Sequence, residues 1–144
     1  MIGDLTHDEI ESFLAENVIG RIGCHAYGRT YVVPITYAYD GTAVYAHSHH
    51  GMKLTMMREN PHVCFEVDAM DDFANWRSVI AWGTFAELRG PERERCLNFL
   101  IESIESRLGG GPPGASMHPR HGMEPATIYR IALEKKTGRF ERRL

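Results

Sequence analysis

The stretch from residue 30 to residue 47 restricts the fold more than any other part of this sequence. Residues 30–39 are rich in β-branched and aromatic side chains, Asp40-Gly41 follows, and residues 42–47 return to the same character. Asp-Gly between two such runs is two-residue hairpin chemistry, because the central positions need positive φ and glycine adopts it at no steric cost. An antiparallel pair is therefore expected mid-chain, and the rest must extend or cover it.

More strands follow by the same reasoning. Residues 18–26 read as a strand ended by Tyr27-Gly28-Arg29. Val63, Phe65 and Val67 alternate with Cys64, Glu66 and Asp68, the pattern of a half-buried strand. A polar loop at 71–75 precedes a long strand at 76–88. The last strand is expected at 127–136, with Tyr129, Ile131 and Leu133 on one face, followed by a basic tail at 138–144. Helices are inserted between them. Thr6 and Glu9 form a capping box ahead of Ile10, Phe13 and Leu14, and Asn17 ends that helix. Gly51 opens a short helix at 52–58, stopped by Asn60-Pro61. Gly90-Pro91 starts a longer one, with Leu97, Leu100, Ile101, Ile104 and Leu108 in one stripe. The Gly/Pro-rich segment 109–125 is long for a loop and is expected to be functional or mobile. Six strands in hairpins predict a mainly β fold that escapes exposed edges by closing into a barrel.

A chain of 144 residues fits one domain, residues 1–144. Its net charge of −3 gives no bulk field for nucleic acid or an anionic membrane. No apolar run approaches the ~20 residues of a membrane span. The start Met1-Ile2-Gly3-Asp4 lacks the basic and apolar regions of a secretory signal, so a cytoplasmic setting is expected. Cys24, Cys64 and Cys96 are odd in number and widely spaced, which favours reduced, mostly buried thiols over zinc ligands or disulfides.

Three segments carry chemistry. In Tyr45-Ala46-His47-Ser48-His49-His50-Gly51-Met52-Lys53 a strand ends, and a glycine leads into a helix with a lysine in its first turn. Helix-start N–H groups, a hydroxyl and an ammonium suit a phosphate dianion. A metal is not expected at His47, His49 and His50, because the last two diverge and no Cys or carboxylate lies nearby to complete the set. In Val32-Val33-Pro34-Ile35-Thr36-Tyr37 the proline marks an edge or bulge where a ligand can approach backbone. In Asn75-Trp76-Arg77-Ser78-Val79-Ile80-Ala81-Trp82-Gly83 an arginine and a serine offer donors, and the mid-strand glycine marks close backbone approach.

In this order, these segments resemble the pyridoxamine phosphate oxidase-like FMN-binding split barrels, in the branch that includes the nitroimidazole-resistance proteins. The likeness covers nearly the whole chain, adding Val18-Ile19-Gly20-Arg21-Ile22-Gly23 and Asn60-Pro61-His62-Val63-Cys64-Phe65-Glu66-Val67, and ends weakly at Gly138-Arg139. The resemblance implies a six-stranded antiparallel Greek-key split barrel that holds FMN at the interface of a homodimer. It implies that Lys53 pairs with the phosphate beside His47 and Ser48. It implies that Pro34, Ile35 and Thr36 line the flavin through their backbone, and that Arg77 and Ser78 lie near the ribityl-phosphate. Trp76 and Trp82 are expected at the dimer interface. The Arg-x-His segment at the end of true pyridoxamine phosphate oxidases is missing from Gly138-Arg139-Phe140-Glu141-Arg142-Arg143-Leu144, which argues against vitamin B6 oxidation.

The function implied is electron transfer from reduced FMN to a small acceptor such as a nitroaromatic compound, with His47 or Tyr37 meeting the acceptor. The flavin carries the chemistry, so no catalytic acid–base set is needed, and none is found. Two alternatives stay open on the same barrel. One is a haem protein with His47 or His118 as axial ligand, and the other is a deazaflavin-binding protein.

Overall fold

Asp40 organises the central hairpin. Its Oδ1 accepts from the N–H groups of Thr42 and Ala43, both at 2.8 Å, and Gly41 takes a φ of 100°. In the computed structural model, which describes residues 1–108 and 126–143, this hairpin belongs to one antiparallel sheet. Its strands are β1 (Ile2–Asp4), β2 (Ile19–Ala26), β3 (Arg29–Thr36), β4 (Ala38–Tyr39), β5 (Ala43–Ser48), β6 (His62–Asp72), β7 (Asn75–Glu87) and β8 (Thr127–Glu141). Three helices intervene: α1 (His7–Glu16), α2 (Met52–Glu59) and α3 (Gly90–Leu108).

The strands lie in the order β3-β2-β6-β7-β8-β5-β4, and β1 also pairs with β8. Because β3 and β4 are consecutive parts of one bent segment, the two ends of this order are joined. The bend is at Tyr37, whose N–H donates to the Val18 carbonyl at 2.9 Å before the chain turns to pair with β5. The sheet thus closes into a barrel that is split where β3 parts from β5. Ile22, Val44, Phe65, Val67, Val79, Tyr129 and Ile131 fill it, together with Phe13 and Leu14 of α1 and Leu54 and Met57 of α2. Leu97, Leu100 and Ile101 of α3 bury a second cluster against Ile128 and Ala38.

The mainly β class and antiparallel barrel agree with the sequence reading, but the described residues form eight strands rather than six. The run at 30–39 is interrupted at Tyr37, and β1 forms by pairing Ile2 with Glu141 and Asp4 with Arg139. The basic tail is strand as far as Glu141, because buried Phe140 alternates with outward-facing Arg139 and Glu141; Arg139 pairs with Asp4, and Arg142 just beyond the strand pairs with Glu9. The loop at 71–75 tightens to residues 73–74, since Asp72 Oδ1 accepts from the Ala74 N–H at 2.8 Å. The capping box at Thr6 and Glu9 forms as read. Segment 109–125 and His118 lie outside the described residues. No described helix is long and apolar enough to cross a membrane.

Candidate functional site

At the β5–α2 turn, Gly51 caps α2 with extended backbone, and among the described residues no side-chain hydrogen bond caps the helix start. The first-turn N–H groups are therefore donors without intrahelical acceptors, and Lys53 stands among them. Such an array attracts an anion by direct hydrogen bonds and by the helix dipole. Ser48 is buried just before it, with its hydroxyl donating to the His49 carbonyl at 2.8 Å.

His47 is half-buried, and its Nδ1 is enclosed without a hydrogen-bond partner among the described residues. Burial lowers its pKa, and the charges of His49 and Lys53 push the same way. The ring is thus neutral at pH 7, and the charged neighbours that act on it among the described residues, His49 and Lys53, are cationic. An anionic ligand with oxygen acceptors fits this donor set.

Pro34, Ile35 and Thr36 end β3, which leads through Tyr37 into β4, and β4 pairs with β5 through Ala38–Tyr45 and Tyr39–Val44. β3 is an edge strand, which tolerates the missing N–H of Pro34. Pro34 and Thr36 are exposed, whereas the Ile35 side chain is buried in the core and offers only its backbone to a ligand.

Arg77 and Ser78 stand apart from this turn and from each other, since neighbours on a strand face opposite sides. Ser78 opposes Asp68 and Arg139 on the outer face of the sheet, whereas His47 pairs with Ile128, which is level with Leu88 just past the far end of β7, ten residues from Ser78. The Arg77 guanidinium instead lies 4.7 Å from the centre of the Phe13 ring and borders a cavity of about 220 Å³ with Leu5, Asp8, Glu9 and Ser12. One subunit does not bring these two residues to the β5–α2 turn. Tyr37 is buried, and its hydroxyl donates to the Leu14 carbonyl at 2.7 Å, so the expectation that it meets an acceptor fails. Gly83 is needed for packing within the sheet, because a Cβ there would stand 2.3 Å from the Ala132 carbonyl oxygen.

The register also defines an outer face that the sequence reading had not assembled. Residues directly opposite on paired strands share a face. One row runs Pro34, Arg21, Glu66, Ile80, and the next runs Val32, Gly23, Cys64, Trp82. Ile19, Val32, Ile80 and Trp82 are 58%, 64%, 38% and 42% exposed, an unusual density of apolar surface on one face. Trp76 is anchored by its indole N–H, which donates to Glu141 at 2.9 Å. Among these apolar groups Arg21 Nη1 reaches both Glu66 at 3.2 Å and Asp68 at 2.9 Å. The signal was present in the alternation of Glu66 and Asp68 with Val63, Phe65 and Val67, but their basic partner comes from β2. Cys24 and Cys96 are buried, Cys64 is half-buried, and all three are free. No group of three or more His, Cys, Asp or Glu among the described residues is placed to hold a metal ion.

Comparison with known proteins agrees with this architecture. A family model described as pyridoxamine 5′-phosphate oxidase matches residues 6–140. An uncharacterized protein of Rhizobium meliloti is 32% identical over 141 residues, which cover 94% of this chain and 92% of the relative. The crystal structure of a FAD-binding protein from Mesorhizobium loti is 29% identical, covers 99% of this chain and 98% of its own, and superposes with a TM-score of 0.79. A candidate 5-nitroimidazole antibiotic resistance protein from Bacteroides thetaiotaomicron shares the fold at 17% identity and a TM-score of 0.73, with 97% and 87% of the chains covered.

Proposed function

This chain belongs to the pyridoxamine 5′-phosphate oxidase family, and from that membership we propose that it is a flavoprotein that binds FMN by its phosphate at the β5–α2 turn. One observation carries the reading. Among the described residues, a helix start without a side-chain cap, a first-turn lysine and a buried histidine nitrogen without a hydrogen-bond partner converge on one turn. In this reading Lys53 and the first-turn N–H groups hold the phosphate, His47 and Ser48 line it, and Pro34, Ile35 and Thr36 present the β3 edge to the ring. Bound flavin supplies hydride and single-electron transfer. The chain's part is to bind and orient it and to keep water from one side, passing electrons to a small acceptor such as a nitroaromatic compound.

The Mesorhizobium loti relative, described as FAD-binding, favours a second reading in which the same turn takes the flavin-proximal phosphate of FAD. The exposed apolar face supports a homodimer, and a second subunit is also the way for Ser78 to reach a flavin held elsewhere. The test is to purify the protein, reconstitute it with FMN and with FAD, and identify the retained flavin by its visible bands and by chromatography after heat release. Retention of FMN is expected. Retention of FAD alone would move the assignment to the dinucleotide. Retention of neither, or an intense haem Soret band, would overturn the flavin reading.

A further inference from the structure

Arg21, Glu66 and Asp68 sit in the middle of the apolar face that the proposed homodimer covers, with Pro34 and Ile80 at the two ends of their row. A single guanidinium nitrogen serves both carboxylates, so neither receives the paired, two-pronged contact that makes such bridges strong. With both acids ionised, the cluster carries one surplus negative charge. Arg21 and Asp68 are nearly half exposed, and water supports that charge in the single chain.

We propose that closing this face against a second copy of the chain loads a proton onto the Glu66–Asp68 pair, which links assembly to pH. The inference rests on the homodimer reading above. Covering the face removes the water, and an uncompensated buried charge is strongly unfavourable. In a two-fold dimer the face meets itself, so each copy also brings its surplus charge toward the other.

The neighbouring groups do not relieve this. From β2 the face presents Ile19, Arg21, Gly23 and, four residues from Arg21, the exposed His25. From β6 it presents the exposed His62, four residues from Glu66, and Cys64, whose thiol is held up by burial and by Glu66. From β7 come Ser78, Ile80 and Trp82, and from β3 Val32, Pro34 and Thr36, none of them charged. The nearest further cations are on β8. Arg139 pairs with Asp4 at 3.1 Å, and Lys135 lies 5.6 Å from the Trp82 ring centre. A proton shared by two carboxylates on one strand face is then the available neutraliser. Glu66 is the holder, being the more enclosed of the two. In the single chain, burial first and then Asp68 push its acid up to about 7 against the pull of Arg21.

The experiment measures dimer dissociation by analytical ultracentrifugation from about pH 5 to about pH 9, across the carboxylate range and neutrality. Glutamate carboxyl titration by ¹³C NMR covers the case of a dimer too tight to dissociate. We expect dissociation to rise with pH above neutrality, by up to about 100-fold per unit, the limit for two protons per dimer. One glutamate should titrate at or above neutrality in the dimer. Glu66→Gln, which mimics the protonated acid, should flatten the profile and remove that titration. A dimer whose association ignores pH and whose glutamates all titrate near the ordinary ~4.3 overturns the linkage while leaving the dimer intact. A monomer at every pH overturns the dimer reading and the linkage with it.

Discussion

Replacing Lys53 with alanine should weaken FMN binding roughly 10- to 100-fold and leave riboflavin binding unchanged. Lys53 is half-buried in the first turn of α2, so its contact with a phosphate is a charge-assisted hydrogen bond worth about 1.5–3 kcal/mol. At about 1.4 kcal/mol per tenfold, that energy gives the stated range. The loss is bounded because the uncapped N–H groups of the turn remain, with a helix-end contribution of about 0.3–1 kcal/mol. Riboflavin has no phosphate and serves as the internal control. Isothermal titration of both ligands at low and high salt separates the ionic part, since salt screens an exposed contact. Equal losses for FMN and riboflavin would refute the phosphate anchor and leave a general disturbance of the site. No loss for either would refute the location.

Gly83→Ala should destabilise the fold by about 1–3 kcal/mol, because the new Cβ would meet the Ala132 carbonyl oxygen at 2.3 Å and prise β7 from β8; a thermal melt reads this as a Tm lower by several degrees. Arg107 donates to the carbonyls of Ala15 and Glu16 at the end of α1, a helix with no basic residue in its own last turn, so Arg107→Ala should cost about 1 kcal/mol in a denaturant titration. His47 has a depressed folded pKa, so the folded state binds fewer protons and loses stability as pH falls through ~6.5; His47→Gln should flatten that acid-side loss. Glu66 works in the opposite sense, because its raised folded pKa makes stability fall as pH rises from 4.5 to about 7. Glu66→Gln should remove that fall in melts run across the same window.

What the sequence disclosed and what it withheld divide along a physical line. Local chemistry was legible: the Thr6–Glu9 capping box and the Gly51 helix start depend on neighbours within a few residues and stand where their residues put them. The Asp40-Gly41 turn forms as a wider loop than the two-residue hairpin expected, since Tyr39 pairs with Val44 and only Gly41 in it takes positive φ. Alternation also revealed which side of β6 is buried. Features set by distant partners were not legible. β1 exists because β8 offers an edge 137 residues away, and the arginine-rich end is a strand because Phe140 needs burial. Tyr37 read as a ligand neighbour until the fold turned its hydroxyl toward Leu14. Arg77 and Ser78 are adjacent in sequence, yet the pleat sends one to Phe13 and the other to the outer face. The Arg21–Glu66–Asp68 cluster joins residues 45 and 47 positions apart, which no local pattern discloses.

The place of β8 in the chain has a consequence for biosynthesis. This strand alone pairs with β1, β5 and β7, and it is the last of the eight to leave the ribosome. A nascent chain that has not reached residue 127 holds the β6–β7 and β2–β3 hairpins but exposes unpaired edges on β5 and β7. Such edges are templates for pairing with other chains. Closure waits for contacts of high sequence separation, including the bond from the Met1 amine to the Arg142 carbonyl at 2.7 Å. Premature termination before residue 127 should therefore yield aggregation-prone fragments rather than smaller soluble barrels, and a stalled ribosome would hold this chain in its most adhesive state.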